Sequence, residues 1–262
     1  MKVKCIIVTN KNSWVSESII RKLHESNNIH LSSVLFFNAA GNLKLLKRRF
    51  KQYGLIKIIS KLKIIIQNKI CSVLKIGKKS KFSSATSYQT VLNSGIKYKI
   101  SSNLNSVETI DYINQTKPNI VFVMSCSQIL SKIFLGNENI TYINFHDSLL
   151  PAHKGPSPSF WVLYNQEKIS GYTLHTIAPK VDSGKILYRD TVEVLGIKSE
   201  EELIRKVVAS LEKKVEDLLI KINQNVHIDY QEIQLNDSYE GIPNYSKRKE
   251  LKRLLKNTDY LT

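Results

Sequence analysis

Between Ser26 and Val107 the chain contains no aspartate or glutamate, although fifteen lysines and arginines fall there. That stretch carries +15 of the formal net charge of +17, so the rest of the 262 residues is close to neutral. A uniformly basic protein is excluded, and a near-neutral domain holding a basic segment is left. Cysteine is scarce too. Cys5, Cys71 and Cys126 form an odd set without a C-x-x-C pair, which argues against a disulfide framework and a structural zinc site and leaves small buried hydrophobes. No stretch reaches the roughly 18 uncharged apolar residues of a spanning helix, and the early run in MKVKCIIVTN is shorter than a signal-peptide core. The expectation is a soluble, cytoplasmic protein. There is no internal repeat, and a 42% hydrophobic content excludes collagen-like, coiled-coil and fully disordered chains.

What is present reads as alternating strands and helices. Val3 to Thr9 is apolar and β-branched, Asn10 to Trp14 is a polar turn, and Ser16 to His24 has helical spacing at Ile19, Ile20 and Leu23. A second strand is expected over Ser33 to Phe37. Further apolar runs, Ile120 to Met124 and Tyr142 to Phe145, suit parallel strands covered on both faces, and Ser106 to Gln115 supplies a helix before the first of them. This rhythm predicts an α/β fold with a Rossmann-like, mostly parallel sheet flanked by helices. A G-x-G-x-x-G turn is missing from TNKNSW, which counts against a dinucleotide site. A Pro-rich loop, Pro151 to Ser159, then leads to a helix over Phe160 to Gln166 and a strand pair, Tyr172 to Thr176 and Lys185 to Val192. Ser199 and Glu202 match a capping box, opening a helix whose Leu203, Val207, Leu211, Val215, Leu218 and Leu219 share one face.

The expected organisation is a core over residues 1–223, a basic helical insertion at about 41–85, and a small C-terminal extension over 224–262. In the insertion, Leu55, Ile58, Ile59, Leu62, Ile65, Ile66, Ile70 and Val73 recur at helical steps, with lysines on much of the remainder. Such a helix packs on the sheet with solvated lysines, or contacts an anionic membrane surface or nucleic acid. Aromatic interleaving for a nucleic-acid stacking surface is lacking, so a nucleic-acid partner is not expected.

The chemistry concentrates in INFHDSLLPAHKGPSPSFW and GYTLHTIAPKVDSGKIL. Asn144 and His146, two apart at the end of a buried strand, point to one side, at the strand end where open α/β sheets bind ligands. Asp182 lies in a turn between two strands that can bring it beside His146. An amide donor, an imidazole and a carboxylate suit acyl transfer to an amine: Asn144 and a protonated His146 donate to a developing oxyanion, and Asp182 fixes the charge and tautomer of His146. Taken singly, each has a bland explanation: a strand end, a satisfied histidine, an ordinary Asp-Ser-Gly turn.

Taken together, these residues resemble the folate-dependent formyltransferase family, whose signature of Asn, one residue, His, one residue, Ser-Leu-Leu-Pro is met by Asn144, His146, Ser148, Leu149, Leu150 and Pro151. Lys154 and Gly155 continue it, as do Gly171, Thr173, His175, Asp182 and Gly184. The resemblance implies transfer of a formyl group from the co-substrate N10-formyltetrahydrofolate to a primary amine without a metal, with Asn144, His146 and Asp182 as the catalytic triad. It implies folate contacts at Met124, Ser125, Cys126 and Ser127 and at Ala178, Pro179 and Asp182, largely through main chain. The first loop, which handles the acceptor's phosphate in the family's glycinamide ribonucleotide enzymes, is not glycine-rich here. Asn10, Ser13 and Trp14 are its candidate acceptor contacts, Trp14 either stacking on a base or sugar or simply packing, and Lys154 is the candidate phosphate contact.

Three acceptors compete: a nucleotide-linked amino sugar, glycinamide ribonucleotide and methionyl-tRNA. The tRNA enzymes carry a C-terminal barrel for which the roughly forty residues after the long helix are too few. The glycinamide ribonucleotide enzymes are compact, which leaves the insertion and the extension unexplained. The expectation is therefore an enzyme resembling the sugar N-formyltransferases, acting on a dTDP-linked amino-deoxy sugar for bacterial surface polysaccharide. Tyr245 to Lys249, YSKRK, resembles a motif of that group's tail, through which family habit suggests a homodimer. The reading from another class is a non-catalytic basic protein on the same fold, holding nucleic acid or a membrane surface.

Overall fold

The computed structural model describes residues 2–38, 86–230 and 233–256. The basic insertion at 41–85, with Cys71, lies outside the described residues.

The elements in chain order are β1 (Val3–Asn10), α1 (Glu17–His24), β2 (Ile29–Phe37), α2 (Ser87–Asn93), β3 (Tyr98–Ser101), α3 (Val107–Thr116), β4 (Ile120–Met124), β5 (Thr141–His146), α4 (Pro158–Tyr164), β6 (Ile169–Thr176), β7 (Ile186–Glu193), α5 (Glu200–Asn223) and α6 (Tyr245–Leu254). Seven strands form one sheet in the order β3-β2-β1-β4-β5-β6-β7, parallel from β3 to β5 and antiparallel across β5, β6 and β7. The uninterrupted apolar run of β1 follows from burial on both faces. Cys5 and Ile7 join one core with α1 and α5, Ile6 and Val8 join the other beneath α3, and all four are fully enclosed. Because the chain runs from β1 out to β3 and then returns to β4 beside β1, the strand order reverses between β1 and β4. A crevice opens at the carboxyl ends of the strands beside such a reversal.

Helix α5 spans 24 residues, and its six expected core positions, Leu203 through Leu219, are each 2% exposed or less. Ser199 caps it by accepting from the Glu202 amide. The return bond runs from the Lys198 amide to Glu202, one residue earlier than a reciprocal box requires. A full box does form at α2, where Thr86 accepts from the Gln89 amide and Gln89 accepts from the Thr86 amide.

The structure differs from the sequence expectation in three places. Strand β2 begins at Ile29, four residues early, because Ile29, His30 and Leu31 pair with Val3, Lys4 and Cys5 of β1, carrying the ladder past the irregularity at Ser32. Helix α4 starts at Pro158, where a missing N–H costs nothing in the first turn. Helix α2 and the edge strand β3 were not foreseen, the first signalled only by Thr86 and Gln89. After α5 the chain crosses back over the loop between β5 and α4, and α6 then docks through buried Leu251, an Arg248–Glu200 ion pair of 2.7 Å and a Tyr164–Glu250 hydrogen bond of 2.6 Å.

Candidate active site

Antiparallel pairing sets Asn144 of β5 opposite His175 of β6, and His146 opposite Thr173. Side chains two apart on a strand leave the same face, so Asn144 and His146 emerge together at the carboxyl end of β5. Asp182 reaches them from the turn between β6 and β7, where its φ of +49° is one that Asp tolerates better than most side chains. Its Oδ2 lies 3.6 Å from His146 Nδ1, and its Oδ1 lies 3.7 Å from His175 Nε2. The carboxylate thus stands between two imidazoles, its side chain only 12% exposed. The Gly155 amide donates to Oδ2 at 2.8 Å. Gly155 has a φ of +104°, and a Cβ there would meet the Glu240 carbonyl oxygen at 2.5 Å, so a residue with a side chain would move the donor that holds Asp182.

The proton positions follow from which atoms can only accept. His175 Nδ1 is 2.8 Å from the Thr176 carbonyl and must donate to it. Burial pushes the pKa of His175 down and nearby His146 adds to that, against the Thr176 carbonyl and Asp182, so the ring is neutral with its lone pair on Nε2. Asn144 lies 3.0 Å from that nitrogen and donates through its amide NH2, which fixes the flip of the carboxamide and leaves its second N–H for another acceptor. His146 Nε2 lies 3.0 Å from the His153 carbonyl and likewise donates. Nδ1, the nitrogen beside Asp182, is the one left for proton exchange.

These groups line a cleft of about 820 Å³, within the range of small-molecule sites. Asn10, Ser125, Cys126, Ser127 and Gln128 line it, as do Ile177, Ala178, Pro179, Val181 and Asp182. Ser125 has a φ of +51°, turning the chain at the end of β4 so that residues 125–128 border the opening. Asn10 accepts from the Ser127 hydroxyl at 3.1 Å. Burial lifts the thiol of Cys126 to about 11, against a hydrogen bond with the Gln128 carbonyl, so this cleft residue is a protonated thiol at neutral pH and a poor nucleophile.

Of the residues singled out in the sequence, Asn144, His146, Asp182, Asn10, Ser125, Cys126, Ser127, Ala178 and Pro179 line the cleft. Four lie elsewhere. Met124 is fully buried in the core beneath. Ser13 donates to the Ser125 hydroxyl at 3.0 Å, behind the lining. Trp14 lies under the Arg205 guanidinium at 4.3 Å, outside the cleft lining. Lys154 turns from the cleft to Asp237 of the extension, 2.6 Å away, because the loop runs alongside residues 237–240 and the carboxylate there compensates its charge. Sequence reasoning gave His175 no role, although it sits in the quoted motif, and it missed Tyr239 and Ile242, which line the cleft from the extension. No local pattern marks the latter pair. Among the described residues no three or more His, Cys, Asp or Glu side chains are grouped as a metal ion would need.

Residues 5–216 match the family described as formyl transferase. The chain is 35% identical over 124 residues to the bifunctional polymyxin resistance protein ArnA of Wigglesworthia glossinidia brevipalpis, a stretch that is 46% of this chain and 19% of that protein. It is 32% identical over 121 residues to the methionyl-tRNA formyltransferase of Borrelia turicatae, 46% of this chain and 39% of that one. The chain thus spans less than half the length of either relative. Among solved structures, phosphoribosylglycinamide formyltransferase from Anaplasma phagocytophilum superposes with a TM-score of 0.61 at 17% identity, over 92% of this chain and 99% of that one. A sugar N-formyltransferase from a Shewanella species superposes with a TM-score of 0.55 at 16% identity, over 100% of this chain and 83% of that one.

Proposed function

The chain belongs to the formyl transferase family, and we propose that it moves a formyl group from N10-formyltetrahydrofolate to the primary amine of a nucleotide-linked amino-deoxy sugar. The observation that carries the transfer is the meeting of Asn144, His146 and Asp182 in one cleft of about 820 Å³. The folate, when bound, supplies the formyl carbon and a nitrogen that takes up a proton as the bond to it breaks. The residues present fit it: Val123, Leu130 and Ile177 line the cleft with apolar surface beside the polar Asn10, Ser127 and Gln128.

The chain's own groups then divide the work. Asn144, its carboxamide held by His175, directs the second N–H at the carbonyl oxygen on which negative charge develops. His146 Nδ1 and Asp182 receive the proton that the attacking amine sheds and return it to the departing nitrogen. Gly155 keeps the carboxylate facing the histidine through these steps.

The sugar nucleotide acceptor is supported by the extension. Residues after α5 enter the cleft wall through Tyr239 and Ile242, an element that a fold compact enough to end at α5 would lack. A solved sugar N-formyltransferase is among the structures that superpose on the chain, with a TM-score of 0.55. The positive balance of +17 favours encounter with polyanions, and nucleoside diphosphates and polyglutamylated folates are both of that kind. The test is an assay of the purified protein with N10-formyltetrahydrofolate and, separately, dTDP-linked amino sugars, glycinamide ribonucleotide and methionyl-tRNA. Turnover with an amino sugar nucleotide alone is expected. Turnover confined to either of the others replaces the acceptor, and silence with all three favours a binding protein on this fold.

A further inference from the structure

His153 is 5% exposed, and both of its ring nitrogens are held by carboxylates. Nδ1 is 2.6 Å from Glu240 and Nε2 is 2.7 Å from Glu167. A carboxylate only accepts, so both contacts are made at once when both nitrogens carry hydrogen and the ring is a cation. Glu167 lies in the turn between α4 and β6, and Glu240 in the C-terminal extension, so one imidazole joins three distant parts of the chain. The backbone of the same residue continues the connection. Its carbonyl accepts from His146 at 3.0 Å and its N–H donates to Ser238 at 2.8 Å. Beside it the Lys154 amide donates to the Ser238 carbonyl at 2.9 Å, and the Glu240 amide to the Lys154 carbonyl at 2.8 Å. Two residues further on is Gly155, whose amide holds Asp182 and whose Cα abuts Glu240.

We propose that His153 is a positioning residue of this site: clamped by Glu167 and Glu240, it straps residues 237–242 across the cleft and so sets the loop backbone that orients His146 and Asp182. The kinetic part of this proposal rests on the formyl-transfer reading; the strap itself does not. Both roles come from one contact set, because the strand-like pairing of 154 with 239 and the placing of Tyr239 and Ile242 in the cleft wall depend on the same segment.

The strap is pH-dependent. Burial alone disfavours the His153 cation, but the hydrogen bonds and charges of Glu167 and Glu240 outweigh it, so its pKa is raised above 6.5. The charged groups around it are those two glutamates, the Lys154–Asp237 pair next along the loop, and Asp182 and His146 beyond the loop backbone. A group whose pKa is raised on folding gives its full stabilisation below the unfolded value and loses it as pH rises through the folded one. The strap is therefore complete below about pH 6.5 and releases at higher pH.

Backbone hydrogen exchange, followed by mass spectrometry on the full chain and corrected for intrinsic rates, tests this between about pH 6 and about pH 9. Protection of residues 237–242 is expected to fall across that range in the unaltered protein. In Glu240→Gln the fall moves to lower pH. In His153→Phe the segment exchanges at least about tenfold faster at the acid end, with no pH step. In parallel, His153→Phe lowers kcat about tenfold or more, as a displaced catalytic pair does, and Glu240→Gln shifts the alkaline limb of kcat/KM to lower pH. A residue that only adds stability lowers the melting temperature in both variants and leaves that limb in place. If His153→Phe does not fold, Glu240→Gln carries the test. Exchange at 237–242 that is independent of pH in the unaltered protein, or an unmoved limb in Glu240→Gln, overturns the proposal. Absence of formyl transfer in the unaltered protein together with pH-linked exchange supports the strap and overturns only the reaction assigned to the site.

Discussion

Asp182 stands 3.6 Å from one histidine and 3.7 Å from another, in ion-pair range of both and in hydrogen-bond range of neither. Its one short bond is from the Gly155 amide, so the carboxylate is anchored by backbone while its charge serves the imidazoles. Asp182→Asn keeps the shape and removes the charge. It is expected to lower kcat/KM by at least about a hundredfold, the lower end for general acid–base groups, and to leave the thermal melting profile close to that of the unaltered protein. Steady-state kinetics beside a melting curve checks both halves. Gly155→Ala acts differently, since it leaves every ionisable group in place but forces a Cβ against the Glu240 carbonyl at a φ of +104°. Urea unfolding should show a loss of about 1–3 kcal/mol, accompanied by reduced turnover. Asn144 and His146 stand out in the sequence because they are two apart at a strand end, and Asp182 because it sits in a second short motif; their meeting is decided by the fold. His175, which sets the flip of the Asn144 carboxamide, was visible as a letter but not as a role, because the pairing of 144 with 175 is a fact of strand register.

At the level of elements, α5 contributes most to the core that supports the site. Leu203, Val207, Leu211, Val215, Leu218 and Leu219 lie against the sheet face that carries Tyr172 and Leu174 of β6. Leu211→Ala is expected to cost about 2–5 kcal/mol, measured as a shift of the denaturant midpoint with an unchanged slope, since the cavity it leaves is walled by strands that cannot collapse into it. Helices with a clear 3.6-residue pattern were read well, and so were fully apolar strands. Strand β2 extends back to Ile29 because the ladder to β1 continues through Ile29, His30 and Leu31, beyond the polar Ser32 that interrupts the apolar run. Capping chemistry was legible where the partner is three residues away, as at Ser199, but the choice of Lys198 for the return bond depends on how the chain enters the helix.

Across the whole molecule, charge and chain path decide what the site meets. With a net charge of +17, and with the proposed nucleotide-linked acceptor as the substrate assayed, the Michaelis constant is expected to rise several-fold as ionic strength goes from about 0.05 to about 0.3 M, while kcat changes little, because screening weakens encounter and not the chemistry between enclosed groups. A kcat that falls in step with kcat/KM would contradict this. Among the described residues no helix is long and apolar enough to cross a membrane. The sequence by itself determined the alternation of strands and helices and the asymmetry of charge, since periodicity and composition are properties of neighbours along the chain. Only the tertiary structure decided that Lys154 turns to Asp237 and Trp14 to Arg205, that His153 lies between two carboxylates, and that Tyr239 and Ile242 line the cleft. Each of these joins residues far apart in the chain, and burial of a charge or a ring selects its partner by proximity in space, which no local pattern encodes.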